Sequence, residues 1–229
     1  MKKNLELIRR KVYEFCGSSK YSRPSLNNLD TKLEKYLNFS NGFFIEVGAN
    51  DGYNQSNTYF LEKFLGWRGI LVEPIPDLFN KCKRTRSNSL VYNYALVSQD
   101  LDDSFVGMHY ANLMSVVEGS LKNQELQAKH IQTGLKCQKI AKSYTINVPT
   151  KTLDSILNEF PCLPPIDFLS LDVEGYETNV LLGLNLYKYK PRYILVEARF
   201  FEEIQALLEP FYNLVEQLSY HDFLYQLKN

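Results

Sequence analysis

The chain has 229 residues, with 26 basic and 26 acidic side chains and a formal charge of zero, which argues against a dominant nucleic-acid footprint. That length suffices for one large α/β core, with or without an insertion, and an aromatic content of 14% favours an ordered fold with rings available to stack on an adenine or a sugar. Cys16, Cys82, Cys137 and Cys162 show no CxxC spacing, so neither a zinc site nor a disulfide framework is expected, and a reducing cytoplasm fits.

The opening MKKNLELIRRKVYEF is basic without a continuous apolar core, so it does not read as a signal peptide. Nor does any stretch approach the ~20 apolar residues of a membrane span. Residues 1–40 read as a helical extension. Leu5, Ile8, Val12 and Phe15 fall on one face, broken by Gly17-Ser18-Ser19, and a second helix spans 30–37 with Asp30 as its cap. The basic residues here read as a solvated face, with a membrane-surface role as the lesser alternative.

From Phe43 strands and helices alternate, and the domain is expected to run over 41–229. A strand at 43–47 leads to a helix at about 57–64, a strand at 69–72, a helix at 76–84 and a strand at 90–96. The KCKRTR run at 81–86 reads as a solvated helix end, favoured by the macrodipole, ahead of a role in steering an anionic acceptor. Residues 107–150 interrupt the pattern with a glycine-punctuated stretch, a polar helix or two within 123–143, and a strand at 144–148. Such an insertion reads as a lid, an acceptor-binding element or an oligomer contact. The alternation resumes with a helix at 153–160, a strand at 166–171 ending at Asp172, a helix at 177–184 and a strand at 193–196 ending at Glu197. A helix at 202–209 precedes two strands, 212–218 and 223–227, joined by a short turn. The expected fold is a doubly wound, Rossmann-like, mostly parallel sheet of about seven strands that closes in an antiparallel hairpin. That hairpin departs from a dehydrogenase sheet and suits the class I methyltransferase sheet.

The segment FFIEVGANDG at 43–52 carries most of the functional information. A buried strand ends in Gly48 and Gly52, and the next strand ends in Glu73, followed by Pro74 and Pro76. An acid there accepts hydrogen bonds from ribose hydroxyls, while glycines let the backbone approach a ligand. A dinucleotide fingerprint is GxGxxG, but here Asn50 takes the middle glycine's place and Asp51 adds negative charge where a pyrophosphate would sit. S-adenosylmethionine carries a ribose, a sulfonium and an ammonium without phosphate, so the electrostatics favour it over NAD. Alone, Asn-Asp-Gly is ordinary turn chemistry.

The chain resembles the FkbM-type family of S-adenosylmethionine-dependent methyltransferases. The residues that carry this are FIEVGANDG at 44–52, Ser56-Asn57-Thr58, GILVEPIPDLF at 69–79, NYALVS at 93–98, Thr152-Leu153-Asp154, IDFLSLDVEGYE at 166–177 and YILVEAR at 193–199. The resemblance spans about 42–227 and leaves the N-terminal helices and the insertion outside the shared motifs. It implies an O-methyltransferase acting on hydroxyls of sugars or polyketide-like metabolites. It also implies that Glu46, Gly48, Asn50 and Gly52 line the methionine part of the cofactor and that Glu73 holds the ribose. Pro74 and Ile75 would flank the adenine, Ala95 with Tyr94 and Leu96 would meet its edge, and Asp172 would stand beside the sulfonium.

A sugar hydroxyl is a poor nucleophile, so a general base assists. Asp172 and Glu174 are the first candidates, at i and i+2 after a buried strand, with Gly175 freeing the turn to aim them into the crevice. Two acids so placed also suit a divalent cation, but no third ligand is evident and no metal is expected. Structurally, Asp172 could simply cap the next helix, Glu174 could pair at the same helix start, and Glu197 could pair with Arg199 or Arg192. Among the histidines, His109 at the opening of the insertion is the candidate base; His130 reads as exposed on a polar helix and His221 as a turn residue. Trp67 reads as packing. Three functions compete: an O-methyltransferase for a glycan or small hydroxylated metabolite, an NAD-dependent oxidoreductase, and a cofactor-binding scaffold or pseudo-enzyme that recruits a partner through 107–150. A homo-oligomer is compatible with each.

Overall fold

The computed structural model describes residues 2–102, 104–121, 123–138 and 143–229. An amphipathic helix α1 (Lys2–Phe15) and a short α2 (Leu29–Leu33) precede the first strand, β1 (Phe43–Val47). Then follow α3 (Tyr59–Leu65), β2 (Arg68–Val72), α4 (Pro76–Thr85), β3 (Leu90–Tyr92) and β4 (Ala95–Leu96). The region expected as an insertion forms β5 (Phe105–His109), β6 (Val116–Val117), α5 (Gln124–Gln138) and β7 (Thr145–Lys151). Of the polar helix or two expected within 123–143, α5 covers Gln124–Gln138, and 139–142 lie outside the described residues. The remainder is α6 (Leu153–Asn158), β8 (Phe168–Leu171), α7 (Glu177–Leu182), β9 (Tyr193–Glu197), α8 (Phe201–Leu208), β10 (Tyr212–Gln217) and β11 (Asp222–Leu227).

The main sheet has seven strands in the order β10-β11-β9-β8-β1-β2-β3. Only β11 runs against its neighbours, wedged between β9 and β10. The other pairings are parallel. From β1 the chain winds outward to β3, then restarts at β8 on the other side of β1. The carboxyl ends of β1 and β8 therefore flank the topological switch point, where open α/β sheets bind ligands.

The strands are apolar on both faces because helices cover both. Ile45, Val47, Ile70, Val72, Leu169 and Leu171 pack with side chains of α6, α7 and α8. The alternate positions Phe44, Leu71, Phe168 and Leu195 pack with Leu33, Phe60 and Trp67 on the other face. Trp67 is a packing residue, as expected: it is fully buried, and its Nε1 donates to the Phe39 carbonyl at 2.7 Å. A second sheet, β4-β7-β5-β6, stands beside the first and contributes Met108 and Val117 to the wall of the central cavity.

Several expectations need correction. The strand expected over 90–96 breaks after Tyr92, because the Asn93 amide donates to the Glu73 and Pro74 carbonyls, each at 2.8 Å, and turns the chain out to the second sheet. Asp30 does not cap α2; it sits one residue inside, buried, accepting from the Ser25 and Thr31 amides. Arg86 is not part of a solvated helix end. It is 1% exposed, and its guanidinium reaches Glu62 at 2.9 Å and Glu46 at 3.2 Å. Two buried carboxylates require a cation, and Arg86 is the one the α4 terminus delivers.

Candidate functional site

A cavity of about 870 Å³, open solvent at its mouth included, lies at the switch point. The carboxyl ends of β1, β2 and β8 form its floor. Val47 is hydrogen-bonded across to the amide of Asp172 at 3.2 Å, and the chain then turns at Gly48, whose φ is +84°. A Cβ on Gly48 would sit 1.9 Å from the Asp172 carbonyl oxygen. The missing side chain is what lets the two strand ends close on one another.

Glu73 forms one end of the cavity. Its Oε2 accepts from the Asn50 amide at 2.7 Å and its Oε1 from the Ile75 amide at 2.9 Å. Asn50 reaches that position in the left-handed region, at φ +49°. Burial pushes the Glu73 carboxyl up to about 7, partly opposed by the two amides. Each oxygen keeps a lone pair for a ligand. Pro74, Tyr94, Ala95 and Leu96 line the same end, whereas Ile75 turns into the core.

Two expected cofactor residues have other work. Glu46 lines the cavity, but its carboxylate accepts from Ser56 Oγ, the Asn57 amide, Thr58 Oγ1 and Arg86. It fixes the 56–58 loop. Gly52 faces Cys82 and Arg86 rather than the cavity, and its carbonyl accepts from Arg86 Nη1 at 3.3 Å.

At the other end stand Asp172, Glu174 and Glu197. Burial, then the charge and hydrogen bond of Glu197, hold Asp172 well above the usual carboxylate range. Glu174 sits at φ +57°, uncommon for a residue with a side chain, and pairs with Arg199. Burial and Glu197 push its carboxyl up to about 7, against the pull of Arg199. Asp172 does not cap α7: Glu177 takes that duty, accepting from the Val173 and Gly175 amides at 3.2 and 2.9 Å. Glu197 lies 4.0 Å from Arg199, the ion pair expected of it.

Sequence spacing supplied two acids; β9 supplies the third. Carboxylate oxygens of Asp172, Glu174 and Glu197 lie within 4.8 Å of one another, close enough to ligate one divalent cation. Arg199 already brings positive charge into the same cluster.

The histidines rearrange. His109 does not line the cavity; strand alternation in β5 turns Met108 inward and His109 away, with Nδ1 3.0 Å from Thr145 Oγ1. His130 is buried rather than exposed. Its Nε2 lies 3.2 Å from the Met114 carbonyl and 3.5 Å from Glu174. Burial and Arg199 lower its pKa. His221 sits in the hairpin turn, where its carbonyl accepts from the Ala198 amide.

Other residues had no assigned role in the sequence. Asn54, Gln55 and Asn57 form one rim, and Asn112, Leu113, Ser115 and Tyr176 form the roof. Asn57 Nδ2 donates to Ser170 Oγ at 3.0 Å, while its Oδ1 is buried without a donor. An ammonium group would satisfy it. The amide-fixed Glu73, the glycine cradle and the orphaned Asn57 oxygen together fit a ligand carrying a ribose and an amine.

Residues 46–227 match the family described as the methyltransferase FkbM domain. No curated protein matches the chain. Among solved structures, it is similar to a TehB-like SAM-dependent methyltransferase from Corynebacterium glutamicum, at 9% identity and TM-score 0.42 over 98% of this chain and 97% of that one. It is also similar to a SAM-dependent methyltransferase from Aquifex aeolicus, at 12% identity and TM-score 0.43 over 86% and 88% of the two chains.

Proposed function

The chain belongs to the FkbM methyltransferase family, with S-adenosylmethionine as its cofactor, and we propose that it methylates a hydroxyl oxygen of a glycan or small metabolite. The observation that carries the hydroxyl assignment is Asp172: a carboxyl at the switch point, lining the cavity, with a pKa held high by burial and Glu197. A base of raised pKa removes a proton from a weakly acidic acceptor more readily than an ordinary carboxylate does.

Bound, the cofactor supplies an electrophilic methyl group on a sulfonium. The chain's own residues hold and orient. Glu73 would receive the ribose hydroxyls, Asn57 Oδ1 would accept from the ammonium, and Pro74 and Ala95 would flank the adenine. Asp172 takes the acceptor's proton. Glu174, clamped by Arg199, positions the acceptor through a second hydroxyl. Residues 41–229 then serve as the catalytic domain, and the 107–150 segment builds the acceptor side through Asn112, Leu113 and Ser115. Most of the rate comes from fixing the acceptor against the methyl group.

The test is transfer of a labelled methyl group to panels of hydroxyl, amine and thiol acceptors. The expected product is a methyl ether, with Asp172→Asn lowering turnover by about 10²–10⁴ at unchanged cofactor affinity. Label on nitrogen or sulfur, or full turnover by Asp172→Asn, contradicts the assignment.

A further inference from the structure

Helix α1 is mounted inside out. Its polar residues hold it to the domain. Arg10 stacks 3.6 Å over the Tyr53 ring, and Glu14 accepts from Tyr59 Oη at 2.7 Å and Ser22 Oγ at 2.8 Å. Its apolar side chains face solvent instead: Leu5 is 69% exposed, Ile8 58%, Val12 54% and Phe15 92%. At 100° per residue these four form one continuous stripe, with Arg9 on one border and Lys11 on the other.

Charge is also concentrated here. Positions 2–23 carry seven basic residues and two acids, in a chain whose formal charge is zero. Of the acids, Glu14 is consumed by Arg10 and Lys63. We infer that α1 lies flat on an anionic membrane surface, its stripe among the acyl chains and its basic borders at the headgroups. A second copy of the chain does not suit the stripe. A stripe roughly 15 Å long with four anchoring side chains falls well short of the ~800 Å² per partner of a stable interface. A two-fold pairing would also bring like-charged borders together.

The docking helix is joined to the cavity. Arg10, Glu14 and Tyr21 hold Tyr53 and Tyr59, and between these lie Asn54, Gln55 and Asn57 of the rim. A membrane-bound α1 therefore tethers the domain, with the helix, about 10 Å thick, between the bilayer and the loop that rims the cavity. This surface stands whether or not the acceptor is a hydroxyl.

The test is co-sedimentation of the full chain with vesicles of phosphatidylcholine alone or with about one third phosphatidylserine. Expected is at least about tenfold more protein on the anionic vesicles, most of it released by about 0.5 M salt. The double variant Ile8→Glu with Phe15→Glu is expected to lose binding at an unchanged melting temperature, since both side chains are exposed. Absence of binding, or equal binding to both vesicle types, overturns the inference. A dimer that the same double variant converts to monomer, without vesicle binding, assigns the stripe to a second copy and overturns it as well.

Discussion

Glu73, the strand-end acid proposed to hold the ribose, is buried and accepts from the Asn50 and Ile75 amides. Burial raises its pKa to about 7, so the free protein holds a proton there at acidic pH. The stability contributed by that protonated form is full below the ordinary glutamate value of about 4.3 and is lost as pH rises toward 7. Ribose hydroxyls donate to the ionised form, so cofactor binding is expected to release a proton and to tighten between about pH 5 and 8. Titration of S-adenosylhomocysteine across that range in two buffers of different ionisation enthalpy checks this, and Glu73→Gln is expected to flatten the profile. Gly48 is tested more simply. Gly48→Ala adds a left-handed conformational penalty of about 1–2 kcal/mol to a clash with the Asp172 carbonyl, so thermal melting should fall by several degrees. Residues of this kind were legible because strand ends are fixed by apolar runs and punctuated by glycine. His130 and Arg86 were not. Their burial is decided by partners distant in sequence, Glu174 for one and Glu46 and Glu62 for the other.

Arg86 ties elements together. From the end of α4 it reaches Glu62 of α3, Glu46 of β1 and Thr58 Oγ1 in the loop that rims the cavity. Arg86→Leu leaves two buried carboxylates unpaired and is expected to cost about 3–5 kcal/mol in denaturant unfolding. Lys83→Ala, one turn earlier on an exposed surface, is expected to change stability by less than about 0.5 kcal/mol. A loss below about 0.5 kcal/mol in both variants would return the 81–86 run to a solvated helix end. At this scale the sequence was a sound guide where period and length agreed, as in β1, β2, β8 and the β10–β11 hairpin. It failed at 90–96, where one apolar run serves two sheets. Asn93 within the run marks the break, but its effect comes from bonding to the β2 exit, which the run alone does not reveal.

For the whole molecule, the order β10-β11-β9-β8-β1-β2-β3 explains why the site is where it is. The sheet reverses its winding between β1 and β8, so Gly48, Glu73 and Asp172 converge although they lie far apart in the chain. This convergence could be anticipated from the order of strands and helices, because right-handed parallel crossovers leave few alternatives. The roof of the cavity could not. It is built by β5, β6 and the turns around Asn112, whose sequence has no period that fixes its placement over the sheet. The family match over residues 46–227 takes in the roof and leaves α1 outside it.

Calorimetric titration with S-adenosylhomocysteine, with NADH as the control ligand, tests the central claim most directly. The account predicts binding of the former alone, weakened at least about tenfold in Glu73→Ala by the loss of hydrogen bonds to a charged group. NADH binding, or S-adenosylhomocysteine binding that Glu73→Ala leaves intact, would contradict it.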